Sequence, residues 1–271
     1  MVDILLPVYN GERYLAEQIE SYLSQTNENW RLIIRNDGSS DNSQSIINNY
    51  FERYPNKIKF VAEPKENIGL VKSLNVLLDH ASSDYIMLSD QDDVWLPEKI
   101  QVSLEKVQEL EDNGEIPVMI CTDARCVDSD LNVIDESFFK SQKFQEGVIG
   151  DTEKMMALNE VQGCTVMINK KAKEYIYPLP EFMRIHDMWL GIMISHFGKM
   201  AYIPQPTLLY RQHDHNTLGS SSVSLNYYLH RTNTLGYYIK SRYLLIKRLP
   251  FKINIPKWLW YKLYYVFLRM K

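Results

Sequence analysis

Three carboxylates crowd into the four positions Asp90-Gln91-Asp92-Asp93. They follow the apolar run Tyr85-Ile86-Met87-Leu88, so they stand where a buried strand must stop. Packed carboxylates repel, and burying them is costly unless a cation or a donor compensates. A hard divalent cation is the simplest compensation. Mg²⁺ or Mn²⁺ typically binds one or two carboxylates together with substrate phosphates. A strand-end acidic cluster therefore points to chemistry on a diphosphate. Read alone, the segment also fits a solvated Asp-rich turn.

The elements that must position this cluster are legible around it. Residues 2–6 form a short apolar run stopped by Pro7, a buried first strand. Apolar spacing predicts helices over 12–24, from about 41 to 51, over 69–80 and over 98–111, the last opened by Pro97. Strands are predicted at 31–34, 57–61, 85–88 and 118–122. This alternation implies an α/β fold with a mostly parallel sheet flanked by helices. Farther on the pattern loosens: an extended or hairpin region at 127–134, an irregular loop at 138–150, strands at 163–168, 200–203 and 207–210, and helices at 170–176 and 186–196. Ligands of such sheets bind outside the carboxyl ends of the strands. Those ends read Pro7-Val8-Tyr9-Asn10, Asn36-Asp37-Gly38-Ser39 and Asp90-Gln91-Asp92-Asp93. Neither GxGxxG nor GxxxxGK[ST] occurs, so no dinucleotide fingerprint or P-loop explains them.

The 271 residues suffice for one large α/β domain plus an appendage, and 45% hydrophobic content fills a sizeable core. The net charge of −4 hides an asymmetry. Residues 1–214 carry all 34 Asp and Glu against 20 Lys and Arg, a net of −14, whereas 215–271 carry ten Lys and Arg and no acid. That tail also holds 12 of the 32 aromatic residues. Cys121, Cys126 and Cys164 have no metal-ligand or redox spacing and read as buried thiols, which fits a cytoplasmic protein. The first residues lack the pattern of a signal peptide, and no apolar stretch of about 18 residues predicts a membrane span.

The ordered set of motifs resembles family 2 glycosyltransferases of the GT-A fold. The matching segments are Leu5-Leu6-Pro7-Val8-Tyr9-Asn10, Asn36-Asp37-Gly38-Ser39-Ser40-Asp41, Glu66-Asn67-Ile68-Gly69, the DxD motif Asp90-Gln91-Asp92, His186-Asp187-Met188-Trp189 and Tyr210-Arg211-Gln212-His213. The likeness spans residues 2 to about 217. The Asp-Gln-Asp-Asp-Val-Trp form with a late His-Asp-x-Trp is most similar to the rhamnosyltransferase-like branch that builds bacterial surface polysaccharides.

The resemblance implies roles for these residues. Asp37 accepts hydrogen bonds from the nucleotide base, which suits the N3–H of a pyrimidine in a UDP- or dTDP-sugar; an Asx turn before a helix is the other reading. Pro7, Tyr9 and Glu12 line the base and ribose pocket, with Tyr9 stacking on the base or buried at the strand end, and Asn67 joins the nucleotide-sugar set. Asp92 binds Mn²⁺ or Mg²⁺, and Asp90 contacts ribose or a metal-bound water. Asp93 assists them or caps the helix near Pro97. Asp187 is the candidate general base of an inverting transfer, or a helix-start acid that stabilises the dipole; His186 orients it. His213 completes the metal or diphosphate site, with Asp214 and His215 as competitors, and Arg211 neutralises diphosphate oxygens.

The expectation is thus a GT-A domain over 1–217, with a nucleotide-sugar half to about 122 and an acceptor half beyond it, followed by a helical tail over 218–271. The tail mixes Lys and Arg with Trp, Tyr and Phe and is broken near Pro250 and Pro256. It reads as an interfacial segment on anionic lipid, or as a helical cap or dimer interface of a homo-oligomer. The acidic body argues against nucleic acid. The implied activity moves a sugar to a lipid-linked glycan at the inner face of the cell membrane. A nucleotidyltransferase and a non-catalytic carbohydrate-binding scaffold are the alternatives, and the first would need a basic Gly-rich loop that Pro7-Val8-Tyr9-Asn10-Gly11 lacks.

Overall fold

The structure, a computed structural model, describes residues 1–62, 66–145, 147–183, 186–213 and 235–270. Strand and helix alternate first: β1 (Val2–Val8), α1 (Leu15–Leu23), β2 (Trp30–Asn36), α2 (Ser43–Arg53), β3 (Ile58–Val61), α3 (Leu70–His80) and β4 (Tyr85–Leu88). A two-residue β5 (Val94–Trp95) and α4 (Lys99–Leu110) lead into β6 (Val118–Val127), β7 (Val133–Asp135), α5 (Phe138–Ser141) and α6 (Thr152–Leu158). Then come β8 (Val166–Asn169), α7 (Lys170–Ile176), α8 (His186–Phe197) and β9 (Lys199–Arg211). Helices α9 (Leu235–Arg248) and α10 (Ile255–Met270) are the last described elements.

The strands form one sheet in the order β3-β2-β1-β4-β8-β6-β9-β5, with β7 on β6. Strands β1 to β4 run parallel. Strand β8 opposes both its neighbours, and β6 and β9 return to the first direction. The sheet is therefore mixed but mostly parallel. Helices cover both faces, which is why β1 and β2 read as nearly continuous apolar runs. Side chains alternate between faces along each strand. Leu5, Ile33 and Ile86 face the core shared with α3, α7 and α8. Ile4, Leu6, Leu32, Ile34 and Met87 face the core shared with α1, α2 and α4.

Several expected elements differ in extent. The strand expected at 118–122 continues to Val127 and turns back as a hairpin with β7. The two strands expected at 200–203 and 207–210 are one, β9, whose register against β6 shifts between Thr122 and Asp123 so that Pro204 and Gln205 pass without ending it. Residues 163–165 form a 3₁₀ turn, and only Val166–Asn169 is strand. The loop at 138–150 holds the short α5. Helix α6 was not anticipated, although Asp151 caps it by accepting from the Lys154 amide at 3.0 Å. Pro256 lies in the first turn of α10 rather than breaking it, because a missing N–H costs nothing there. All three cysteines are buried and free.

The other end of the sheet is tied by one buried acid. Asp3 on β1 accepts from Arg31 Nε at 3.0 Å and Nη2 at 3.1 Å, and from the amides of Ser82 and Ser83 at 2.8 and 2.9 Å. It thereby joins β1, β2 and the turn before β4. Asp3→Ala leaves these donors without their acceptor and Arg31 without its partner. It is expected to cost about 3 kcal/mol, read as a lower urea midpoint with an unchanged slope.

Candidate active site

The acidic loop is placed by β5. Val94 pairs with Leu209 and Trp95 with Leu208 in antiparallel register. This folds the chain after Asp93 back along β9 and brings residues 90–93 beside 211–213. His213 Nε2 lies 2.9 Å from Asp92 Oδ2, across 121 positions of sequence. The Tyr14 ring stacks on the His213 imidazole, 5.1 Å between centroids at 24°. Asp92 and His213, both expected at a metal, are therefore brought together. Asp214 and His215 lie outside the described residues.

The remaining carboxylates of the loop carry the cost of crowding. Asp90 is half-buried, and burial together with the Asp92 and Asp187 carboxylates pushes its carboxyl up to about 7. Asp93 is fully buried rather than capping a helix. Its Oδ1 accepts the Arg211 amide at 3.2 Å, while Oδ2 has no hydrogen-bond partner among the described residues. Burial and the Asp92 and Asp90 charges raise it well above the carboxylate range. One carboxylate oxygen of Asp90, one of Asp93 and Cys164 Sγ lie within 4.8 Å of one another. Beneath them Lys99 is fully buried, its Nζ 3.4 Å from Thr122 Oγ1 and 3.3 Å from Thr207 Oγ1. Desolvation lowers its ammonium to about 8, opposed by the nearby Cys164 and Asp93.

A hard divalent cation fits this donor set. Carboxylate oxygens and an imidazole meet at the strand ends, and among the described residues no ion pair to Asp90 relieves the repulsion of the carboxylates. Asp92 and His213 are the residues that would hold the ion, with Asp90 beside them.

Arg211 is placed differently from the expectation. It is buried, and its guanidinium is engaged by the protein: Nε donates to the Asp92 carbonyl at 2.8 Å, Nη1 to the Ser129 carbonyl at 2.6 Å, and Nη2 to Glu17 Oε2. Its Cζ lies 4.4 Å from the Tyr14 ring centre. The fork holds the acidic loop against the end of β9 instead of pointing at a diphosphate.

At the ends of β1 and β2, Asp37 is buried with Arg35 Nη1 at 2.5 Å on Oδ1. The amides of Ile68 and Gly69 donate to Oδ1 and Oδ2 at 2.8 and 2.9 Å. The carboxylate is thus held rigidly, and Oδ2, with a single donor, retains a lone pair. Gly38 is required here: its φ is +74°, and a Cβ would stand 2.7 Å from the Asn67 amide nitrogen. Asn67 itself is exposed beside this turn, and Pro7 is half-buried at the end of β1. Tyr9 is exposed, so its ring is available to stack rather than sealed in the core. Glu12 is exposed and accepts the Asn42 amide at 2.9 Å and its side-chain amide at 2.8 Å.

Asp187 lies in the first turn of α8, with Trp189 and Leu190 buried behind it. The Gly163 amide donates to Asp187 Oδ2 at 3.3 Å, and His186 Nδ1 lies 3.4 Å from Oδ1. Gly163 is needed for close approach, since a Cβ there would stand 2.7 Å from His186 Nε2. The Asp187 charge contributes to the rise at Asp90.

Gln91, the middle residue of the DxD motif, was not singled out from the sequence. Its side chain accepts from the Tyr9 amide at 2.8 Å and donates to the Tyr9 carbonyl at 3.0 Å, clamping the acidic loop to the end of β1. Tyr14 and Glu17 were also missed, because α1 was read for its apolar face alone.

The sequence model of the family described as Glycosyl transferase family 2 matches residues 3–173. The chain belongs to this family. EpsE of Bacillus subtilis (strain 168), whose description as a glycosyltransferase is itself provisional, is 42% identical over 100 residues, 37% of this chain and 36% of its own length. The dTDP-rhamnosyl transferase RfbG of Shigella flexneri is 26% identical over 232 residues, 80% of this chain and 74% of its own. Among solved structures, TarS of S. aureus in complex with UDP-GlcNAc superposes with a TM-score of 0.59 at 17% identity, over 82% of this chain and 62% of that one. The mannosyltransferase PcManGT of Pyrobaculum calidifontis, in complex with GDP-Man and Mn²⁺, gives 0.53 at 17% identity, over 76% and 54%. The chain thus spans about a third of EpsE and about three fifths of TarS. These likenesses carry the GT-A fold.

The crowding has a pH signature. In the native protein Asp90 holds its proton up to about pH 7, while an unfolded aspartate releases it near 3.8. Between those values the native state binds more protons, so the stability this group contributes falls as pH rises and is lost above about 7. Without divalent metal, Asp90→Asn is expected to melt a few degrees above wild type at pH 8, with the gap closing toward pH 4. Thermal melts across that range check it; a variant that melts no higher at pH 8 would show the repulsion to be compensated.

Proposed function

We propose that this family 2 enzyme is an inverting, metal-dependent glycosyltransferase acting on a UDP- or dTDP-sugar. The observation that carries the reading is the convergence of Asp92 and His213 at 2.9 Å, next to Asp90 at the strand ends. The likeness to RfbG supports a dTDP-sugar and makes rhamnose the leading candidate; TarS, bound to UDP-GlcNAc, supports the uridine alternative. Asp37, with a lone pair left on Oδ2, suits the N3–H of a pyrimidine, and Tyr9 suits stacking on its face. The acceptor is a glycan, carried on a lipid at the inner face of the membrane. The catalytic unit is the span 1–217, and the basic tail over 218–271 is appended to it.

In the transfer, an acceptor hydroxyl oxygen attacks the anomeric carbon while the bond from that carbon to the diphosphate oxygen breaks. Asp187 takes the hydroxyl proton, and the Gly163 amide and His186 hold its carboxylate in place for that step. Mn²⁺ or Mg²⁺, when bound by Asp92 and His213, offsets the charge that develops on the leaving diphosphate. Asp90 contacts the ribose or a metal-bound water. Gln91 keeps the acidic loop in register with Tyr9, so the base-binding and phosphate-binding ends stay at a fixed separation.

Two variants test the assignment together. A thermal-shift titration with UDP- and dTDP-sugars is expected to give a shift that requires Mn²⁺ or Mg²⁺ and is absent with EDTA. Asp92→Ala should lose that shift. Asp187→Asn should keep it and lose about 10²- to 10⁴-fold in kcat. Full turnover in Asp187→Asn sinks the base assignment, and no shift with any nucleotide on folded protein sinks the donor site.

A further inference from the structure

Helix α10 is apolar on two opposite faces, and the domain uses only one. Trp258 and Tyr265 are buried, and Tyr261 and Leu268 pack with them into the core that includes Met155, Met156 and Ala157 of α6. The flanks of this inner face are pinned. Lys257 Nζ lies 3.0 Å from both Asp151 and Glu153, and Lys262 Nζ donates to the Ala157 carbonyl at 2.7 Å. The docked orientation leaves Leu259, Trp260, Leu263 and Tyr264 facing outward, exposed by 47, 64, 71 and 46%. Their spacing, i, i+1, i+4, i+5, is one continuous stripe. Trp260 and Tyr264 stack on each other at 6.4 Å. No described residue buries this stripe.

We infer that the outer face of α10 lies on an anionic lipid surface. The charge around it selects this occupant. From 215 to 271 the chain carries ten Lys and Arg and no Asp or Glu, and Lys240, Lys247, Arg248 and Lys252 are exposed. Each basic residue near an anionic bilayer adds to the attraction. A second copy of the chain, paired stripe to stripe, would instead bring two such cationic tails together. Trp and Tyr beside leucines suit the boundary between headgroups and acyl chains. A spanning role is a different matter: no described helix is long and apolar enough to cross a membrane. The geometry is that of a helix lying in the interface, with its other face already anchored to protein.

The position matters for the reaction. Helix α6 packs against α8, whose first turn carries Asp187, and Arg242 of α9 donates to the sulfur of Met188, the next residue. The lipid-facing helix is therefore fastened to the wall that holds the candidate base. The inference deepens the peripheral-membrane part of the proposed function and rests on that reading, but vesicle binding is measured apart from donor binding and turnover.

The test uses the full chain and the double variant Trp260→Glu/Leu263→Glu, whose side chains are exposed and whose folding is checked by thermal melting. Co-sedimentation is measured with phosphatidylcholine vesicles and with vesicles enriched in phosphatidylglycerol. Wild type is expected to bind the anionic vesicles at least about ten-fold better than the neutral ones and to release them at about 0.5 M salt. The variant should lose about ten-fold or more of that binding while its nucleotide thermal shift is unchanged. Equal sedimentation of variant and wild type would overturn the inference. So would a wild-type dimer by light scattering that the variant dissolves, with no vesicle binding, since the stripe would then serve a second copy. Loss of the nucleotide shift in both proteins, with vesicle binding intact, would count against the donor site and leave the docking face standing.

Discussion

The antiparallel pairing of β5 with β9 is two residues long, and the site depends on it. Val94 and Trp95 could not hold an acidic loop by backbone bonds alone. The Trp95 ring is buried edge-on against Tyr22 at 4.8 Å, and Lys99 lies 4.9 Å over its face. Arg211 then closes the loop from the other side, bonding a loop carbonyl, the Ser129 carbonyl and Glu17. This scaffold forces Asp90, Asp92 and Asp93 into a space that their charges oppose. Among the described residues counter-charge comes indirectly, through Lys99 below and Arg211 beside. A full ion pair to Asp90 or Asp92 from a lysine or arginine would be more stable, but on the proposed reading it would occupy the place of the cation and the diphosphate. Stability is given up where function requires unsatisfied charge.

The nucleotide end follows the opposite logic. Asp37 is fully tied to Arg35 and two amides, so it is rigid and its one remaining acceptor direction is fixed. A buried arginine–carboxylate pair contributes little net stability; here it sets orientation. Gln91 links the two ends by bonding both backbone groups of Tyr9. A metal-binding loop and a base-binding loop that drifted independently would not hold one ligand across both.

What the sequence revealed and what it hid divide along physical lines. The first four strands and their helices were legible because each buries a face of its own, and period and punctuation report that directly. Asp37, Asp90 and Asp92 stood out because polar residues at strand ends have no packing reason to be there, whereas Asp187 and His213 were picked out through the family resemblance. The roles of Arg211 and Glu12 did not follow, because a charged side chain's partner is a matter of tertiary contact: Glu17 and Asn42 are the residues that claim them. Of the two readings of Asp93, assistance to the acidic pair and a cap on the helix near Pro97, the cap does not hold, because β5 intervenes before α4. Strand β9 looked like two strands because Pro204 and Pro206 interrupt the donor pattern, and the register shift that absorbs them is invisible in one sequence. Gln91 was overlooked as the variable letter of a motif.

The division of charge along the chain completes the picture. An acidic body suits a cation and repels polyanions, so it gains nothing from approaching an anionic surface. The basic tail reverses that over its last residues, and α10 is held to the body by Lys257 between Asp151 and Glu153, a place where the two signs meet. The contact is made on α6, next to the helix that begins with Asp187. A tail attached at the far edge of β3 would draw the same protein to the same surface with the acceptor pocket facing away. Its attachment to the α6–α8 wall makes orientation, rather than attraction alone, the consequence of the tail's two apolar faces.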